Sequence, residues 1–374
     1  MPETESGRCD GIGAEEGRRL CADRRGVATH LIRVGIIGYG YAGRAFHSYL
    51  VPLSKGLALE AIVSSSADKR QRITQERGCR AVASVEELLA DPAIDLVVLA
   101  TPHDTHADLA IRALHAGKHV VTDKVMALTT EEADAMIAAA RTSGRMLSVF
   151  HNRRWDWDYQ TVRHVIAEGL LGKPYLLECA VMQDRLPGGW RRDPERSGGM
   201  LHDWGAHLID HGLSLVPSKV VEVFCSVVHA TADVAVGNLA KLVLRFEDGT
   251  LYEVCLGNMA RQSKPRWFVL GDRGSLRKEG LDPQEVAMNR GNIDAATEDP
   301  ALRAVVRTKL GDLSAEIIVD SVRSSWRSYY DNISAHLNEG APLAVTAESA
   351  RRVVAVLDAA GAAIRGGHGV SVSI

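Results

Sequence analysis

The sequence predicts two domains: an α/β half built as a doubly wound parallel sheet over residues 31–151, and an α+β half built on an antiparallel sheet over residues 152–374. Three observations predict it. Apolar runs alternate with helical periods between Val34 and Phe150, a glycine-rich turn joins the first run to the first helix, and the apolar period changes to two beyond Val220. At 374 residues the chain is long enough for two substantial cores.

Val34, Ile36 and Ile37 read as the first strand, and Gly38-Tyr39-Gly40-Tyr41-Ala42-Gly43 follows at once. In this context each glycine has its own task. Gly38 permits the tight turn, Gly40 lets a pyrophosphate approach the backbone, and Gly43 lets the helix pack closely on the strand. The free N–H groups and positive dipole end of that helix suit phosphates, which makes the first domain a dinucleotide-binding Rossmann domain rather than one with a merely glycine-rich turn. Leu59–Ser64 is the second strand. An acidic side chain at its end would bind ribose hydroxyls and repel a 2′-phosphate. Here Ser64, Ser65 and Ser66 stand there with Lys69 close behind, so NADP is the expected cofactor, with NAD as the alternative if Lys69 and Arg70 only begin a solvated helix.

Ser84 caps a short helix with Glu86 and Glu87 in its first turn. Asp95–Ala100 is a near-continuous apolar run, as a central parallel strand requires, and it stops at Thr101-Pro102-His103. Ligands in such sheets lie outside the carboxyl ends of strands, so Thr101, His103 and the following His106 should face the cofactor. After a helix closed by Gly117, the strand His119–Thr122 delivers Asp123 and Lys124 to the same edge. A lysine there is expected to act on a ligand rather than to be plain surface charge. Thr130–Arg141 and Met146–Phe150 complete the series.

The second domain opens with His151-Asn152-Arg153-Arg154-Trp155. Arginine between aromatic rings can hydrogen-bond and stack on a polyhydroxylated substrate, so Arg153 and Trp155 are candidate substrate contacts, against an interdomain hinge of ordinary ion pairs. A Gly/Pro/Arg-rich loop, Leu186 to Gly199, is a plausible lid through Trp190 and Arg191. In a helix, Asp203, His207 and Asp210 or His211 would share a face, and an aspartate one turn before a histidine can orient its imidazole for acid–base transfer. A metal site would need a third clear ligand, so none is expected. Asp248-Gly249 marks a hairpin, Arg266–Leu270 with Ser275–Lys278 another, residues 281–318 read as irregular and partly helical, and the last helix runs from Thr346 to about Ile364.

A net charge of −3 offers no footprint for nucleic acid or anionic lipid. The six cysteines are scattered, which suits a reducing, cytoplasmic setting, and no apolar run approaches the ~20 residues a bilayer needs. Residues 1–30 are polar, lack an apolar signal core, and read as a disordered extension.

Four stretches together resemble the glucose–fructose oxidoreductase / inositol dehydrogenase (Gfo/Idh/MocA) family: G-I-I-G-Y-G-Y-A-G (35–43), A-T-P-H-D-T-H (100–106), A-G-K-H-V-V-T-D-K (116–124) and G-G-M-L-H-D-W-G-A-H-L-I-D (198–210). The run S-V-F-H-N-R-R-W-D (148–156) is similar to a subgroup that includes NADP-dependent scyllo-inositol dehydrogenases. The resemblance implies a Rossmann domain plus an α+β domain with a large open, mainly antiparallel sheet, paired into homodimers or homotetramers. It implies that Lys124, Asp203 and His207 are the catalytic residues, with His207 as the acid–base group, Lys124 polarising the substrate oxygen and Asp203 supporting both. Asp123 and Asn152 would join the cofactor contacts, and the substrate would be a sugar or cyclic polyol. The family's Glu-Lys-Pro is Asp123-Lys124-Val125 here, and a cis bond before valine costs about 3 kcal/mol. Two other functions compete: a glycoside-cleaving enzyme that oxidises its sugar transiently, and a cofactor-binding regulator without catalysis.

Overall fold

The structure, a computed structural model, describes Cys21–Ala22 and residues 28–374. The extension expected over residues 1–30 lies outside the described residues, apart from a two-residue antiparallel pairing of Cys21–Ala22 with Ala28–Thr29. The first domain is one parallel sheet of six strands: β1 (Ile32–Ile37), β2 (Leu57–Val63), β3 (Arg80–Val82), β4 (Leu96–Leu99), β5 (His119–Thr122) and β6 (Leu147–Val149). Their order is β3-β2-β1-β4-β5-β6. Leu96, Val97, Val98 and Leu99 are all wholly buried, as strands covered on both faces must be. The predicted cap at Ser84 forms, accepting the Glu87 N–H, and the structure adds a capping box of Thr129 with Glu132 at the head of Thr130–Ser143. Strand order reverses between β1 and β4, so the crevice outside their carboxyl ends receives Gly38, Thr101 and Asp123-Lys124 together.

The second domain is a nine-stranded sheet. Its strands are β7 (Pro174–Met182), β8 (Val220–Val228), β9 (Leu239–Phe246), β10 (Leu251–Gly257), β11 (Trp267–Gly271), β12 (Gly274–Lys278), β13 (Ala304–Leu310), β14 (Leu313–Val319) and β15 (Val370–Ser371). They lie in the order β14-β13-β12-β11-β7-β10-β9-β8-β15, antiparallel except for the central pair β7 and β10. One face buries Leu177, Cys179, Val254, Leu256, Trp267 and Val269. Helix Ala206–Leu215 packs on that face, and the long helix Ala347–Gly366 bridges it to helix Thr130–Ser143 of the first domain. The other face carries exposed Phe224, Val228 and Ile318.

Two expectations are corrected. Residues 281–318 are not merely irregular, because β13 and β14 form a full hairpin there. Arg307, Lys309 and Glu316 on its outer face dilute the apolar alternation that marks interior strands, and such charges are usual at a sheet's edge. The stretch before His207 is not a regular α-helix either: Leu201–Gly205 is wound more widely, as a π-helical turn, before Ala206–Leu215 continues as α. No helix among the described residues is long and apolar enough to cross a membrane.

Candidate active site

The glycine turn meets the steric demands of a dinucleotide cradle. Gly38 has φ 104°, and a Cβ there would lie 2.4 Å from the Ala100 carbonyl oxygen. A Cβ on Gly43 would lie 2.1 Å from the Gly38 oxygen, so helix and strand touch only because that position is bare. Gly40 is the opposite case: a Cβ there would meet nothing within 4 Å, leaving open space against the backbone where a pyrophosphate would lie. The residues therefore fit the group that the motif calls for. Tyr39 is buried with its hydroxyl given to Glu76 at 2.7 Å, so its contribution to the cradle is backbone. Tyr41 is exposed and its hydroxyl donates to Glu285 at 2.9 Å, while Ala42 begins the helix.

At the end of β2, Ser66 is occupied as a helix cap, accepting the Lys69 N–H, and Arg70 ties down the Ser64 and Ser65 carbonyls at 2.8 and 3.0 Å. Ser65 and the Lys69 side chain remain exposed. After β4, the Thr101 hydroxyl accepts from Thr105 at 2.7 Å, and the His103 ring sits 2.8 Å from the Ser197 carbonyl, edge-on to Trp190 at 4.7 Å. His106 spans two loops, its ring nitrogens 2.7 Å from the Val125 carbonyl and 3.1 Å from that of Thr101. The Lys124–Val125 peptide is cis, although proline is absent. Asn152 is buried, and its side-chain nitrogen has no partner among the described residues.

From this edge Lys124 reaches into the second domain. Its Nζ donates to Asp203 Oδ1 at 2.6 Å and to the Asp203 carbonyl at 2.7 Å, while Arg191 approaches Oδ2 at 3.4 Å. Burial works to raise the Asp203 carboxyl, but Lys124 and then Arg191 overrule it and hold it well below the usual carboxylate range. His207, one helical turn on, is 7% exposed. Burial first, then the charges of Lys124 and Arg153, push its imidazole well below its ordinary value, so it is neutral at pH 7. Its Nδ1 is buried without a partner among the described residues. Behind it stands His151, rings 6.3 Å apart, brought down to about 4 chiefly by burial.

The structure thus brings Lys124, Asp203 and Arg191 into contact, with His207 alongside; it does not pair Asp203 with His207. Arg153 is also placed otherwise than a free substrate contact would be. It is buried, bonded to Asp156 at 3.2 Å and Glu285 at 3.0 Å, with its guanidinium 4.3 Å over Trp204. Trp155 is half-buried against Tyr329, and Trp190 lies on His103. Sequence reasoning missed Glu285, which joins Tyr41 of the glycine turn to Arg153, and the bidentate grip of Arg154 on Asp210 at 2.8 and 2.6 Å. Neither has a local signal, since the partners lie 132 and 56 residues from the arginines.

Comparison with known proteins agrees with this fold. The model of an oxidoreductase family with an NAD-binding Rossmann fold matches residues 32–151, and that of the GFO/IDH/MocA C-terminal domain matches 159–277. The chain is 32% identical to scyllo-inositol 2-dehydrogenase (NADP(+)) IolW of Bacillus subtilis, over 91% of this chain and 95% of that one. It is 29% identical to myo-inositol 2-dehydrogenase of Thermotoga maritima, over 59% and 66%. Among solved structures, the oxidoreductase YvaA of Bacillus subtilis superposes with a TM-score of 0.86 at 29% identity, covering 92% of this chain and 99% of that one.

Proposed function

The chain belongs to the Gfo/Idh/MocA family of NAD(P)-binding oxidoreductases, and from that premise we propose that it transfers a hydride between NADP and a hydroxyl or keto carbon of a sugar or cyclic polyol. One observation carries the reading: an amine from the nucleotide-binding domain, Lys124, is held on Asp203 beside the neutral imidazole of His207, whose Nδ1 has no partner among the described residues. Bound in the crevice, a nicotinamide supplies the hydride acceptor or donor. His207 takes the hydroxyl proton during oxidation, a task that needs the unprotonated ring its surroundings maintain. Lys124 donates a hydrogen bond to the same oxygen and stabilises charge developing on it. Asp203 keeps the ammonium in place, and Trp190 and Arg191 border the substrate.

Preference for NADP is supported by the exposed Ser65 and Lys69 where an acidic residue would exclude a 2′-phosphate, and by the NADP(+) in the name of the B. subtilis relative. The exposed apolar side chains on the outer sheet face support pairing with a second copy into a homodimer or homotetramer, which sedimentation would refute by returning a monomer at micromolar concentration. The free thiols of Cys79, Cys179, Cys225 and Cys255 support a cytoplasmic setting, checked by cell fractionation.

The test follows reduced-cofactor absorbance while inositols, sugars and their keto forms are supplied with NADP(H) or NAD(H). Turnover with a higher kcat/KM for NADP is expected, and Lys69→Ala should lower the NADP/NAD ratio about tenfold, the loss of one charge-assisted contact. Silence across the panel would refute the reading. Glycoside cleavage without net cofactor turnover would replace it with the transient-oxidation function.

A further inference from the structure

We propose that His47 is a positioning residue that acts on Lys124 through Asp123. His47 lies in the helix after the glycine turn, its ring wholly buried and set against Phe150 with centroids 4.5 Å apart. Its Nδ1 stands 2.6 Å from the Tyr330 hydroxyl. That phenol is fully buried and has no other hydrogen bond among the described residues, so its hydrogen must go to Nδ1. In the neutral imidazole the remaining proton then sits on Nε2.

Nε2 is buried and has no hydrogen-bond partner among the described residues, and it faces Asp123 Oδ2 at 3.8 Å. That is longer than a hydrogen bond, yet close enough for an N–H dipole to orient a carboxylate in a buried setting. The other oxygen, Oδ1, accepts the backbone N–H of Lys124 at 2.8 Å. Asp123 is thus held at two points. One faces the cofactor helix, and the other is the peptide from which the Lys124 side chain departs toward Asp203. Burial would raise the Asp123 carboxyl, and His47 followed by Lys124 brings it down to about 2 instead, so it stays an anion able to hold the amide. Without the imidazole, the carboxylate is free to turn and release that amide.

The inference rests on the reading of Lys124 as the partner of the substrate oxygen, but its test does not depend on turnover alone. Nitrogen-15 NMR of the intact protein should show His47 protonated at Nε2 and accepting at Nδ1. Hydrogen exchange at the Lys124 amide should accelerate about tenfold in His47→Leu, as loss of one hydrogen bond to a charged acceptor would give, while amides of β4 keep their protection. In the same variant kcat should fall roughly ten- to a hundredfold, the cost of misplacing a reacting group, with substrate KM unchanged. His47→Gln, which restores an N–H donor, should recover most of that loss. Asp123→Asn should lose about as much as His47→Leu, and the double variant no more than the worse single one. The opposite tautomer, unchanged exchange at Lys124, or additive losses would overturn the proposal. A wild-type protein inert toward every polyol would refute the functional reading instead, leaving the tautomer and exchange results to stand or fall by themselves.

Discussion

One contact links Lys124 to the state of His207. The Lys124 Nζ is held by the Asp203 carboxylate and carbonyl it grips, and burial, with the field of that amine added, keeps His207 neutral. Since that imidazole is held below its ordinary value, kcat/KM for oxidation should keep its plateau down through pH 6.5, with the acid limb lying lower. His207→Asn should remove the limb and lower kcat roughly a hundred- to ten-thousandfold while dinucleotide affinity, followed by fluorescence quenching, stays within about twofold. A pH profile that bends at 6.5 in the native protein would contradict the assignment. The motifs single out Lys124, Asp203 and His207 as candidates, but not how they pair. Spacing along a helix suggested that Asp203 orients His207, whereas Lys124 and Arg191 arrive from other segments and claim that carboxylate. Arg153 is a parallel case: Asp156, three residues on, and Glu285, in a stretch whose pattern said nothing, both bind its guanidinium.

The glycine turn shows how two identical residues in one motif answer to different forces. Gly43→Ala would press a methyl against the Gly38 carbonyl, so the helix must move off the strand; melting temperature and cofactor binding should fall together. Gly40→Ala meets open space in the free protein, so melting should hold within about a degree. Dinucleotide affinity should nevertheless drop tenfold or more, because the methyl stands where the pyrophosphate approaches. Calorimetry beside a binding titration separates the two, and equal melting losses would undo the distinction. Elements marked by caps and buried runs were readable, from the Ser84 cap to the apolar β4. The hairpin of β13 and β14 was not, because Arg307, Lys309 and Glu316 face outward and Gly311-Asp312 reverses the familiar Asp-Gly turn.

Across the molecule, several histidines are buried in the neutral form. His119, His151 and His202 come down to about 4 and His211 to about 3, in each case chiefly through burial. Unfolded, they titrate near 6.5, so below that value the unfolded chain binds protons that the folded one refuses. Stability should therefore be flat above pH 6.5 and fall as pH drops toward 4, by up to about 1.4 kcal/mol per pH unit for each histidine. Urea titrations at pH 7, 6 and 5 would measure it, and unchanged midpoints would refute it. The buried aspartates Asp123 and Asp210, lowered to about 2, lose their contribution only in still stronger acid, below the 3.8 of a free carboxyl.

The position of β7 bears on how the chain is made. This strand leaves the ribosome first among the nine, yet both of its neighbours come late, the parallel one beginning at Leu251 and the antiparallel one at Trp267. Until then its two rims are bare, and the centre of the layer is knitted only once β10 and β11 arrive. A nascent polypeptide stalled short of Leu251 should be sticky and favoured by holding chaperones, and one stalled past Lys278 should not.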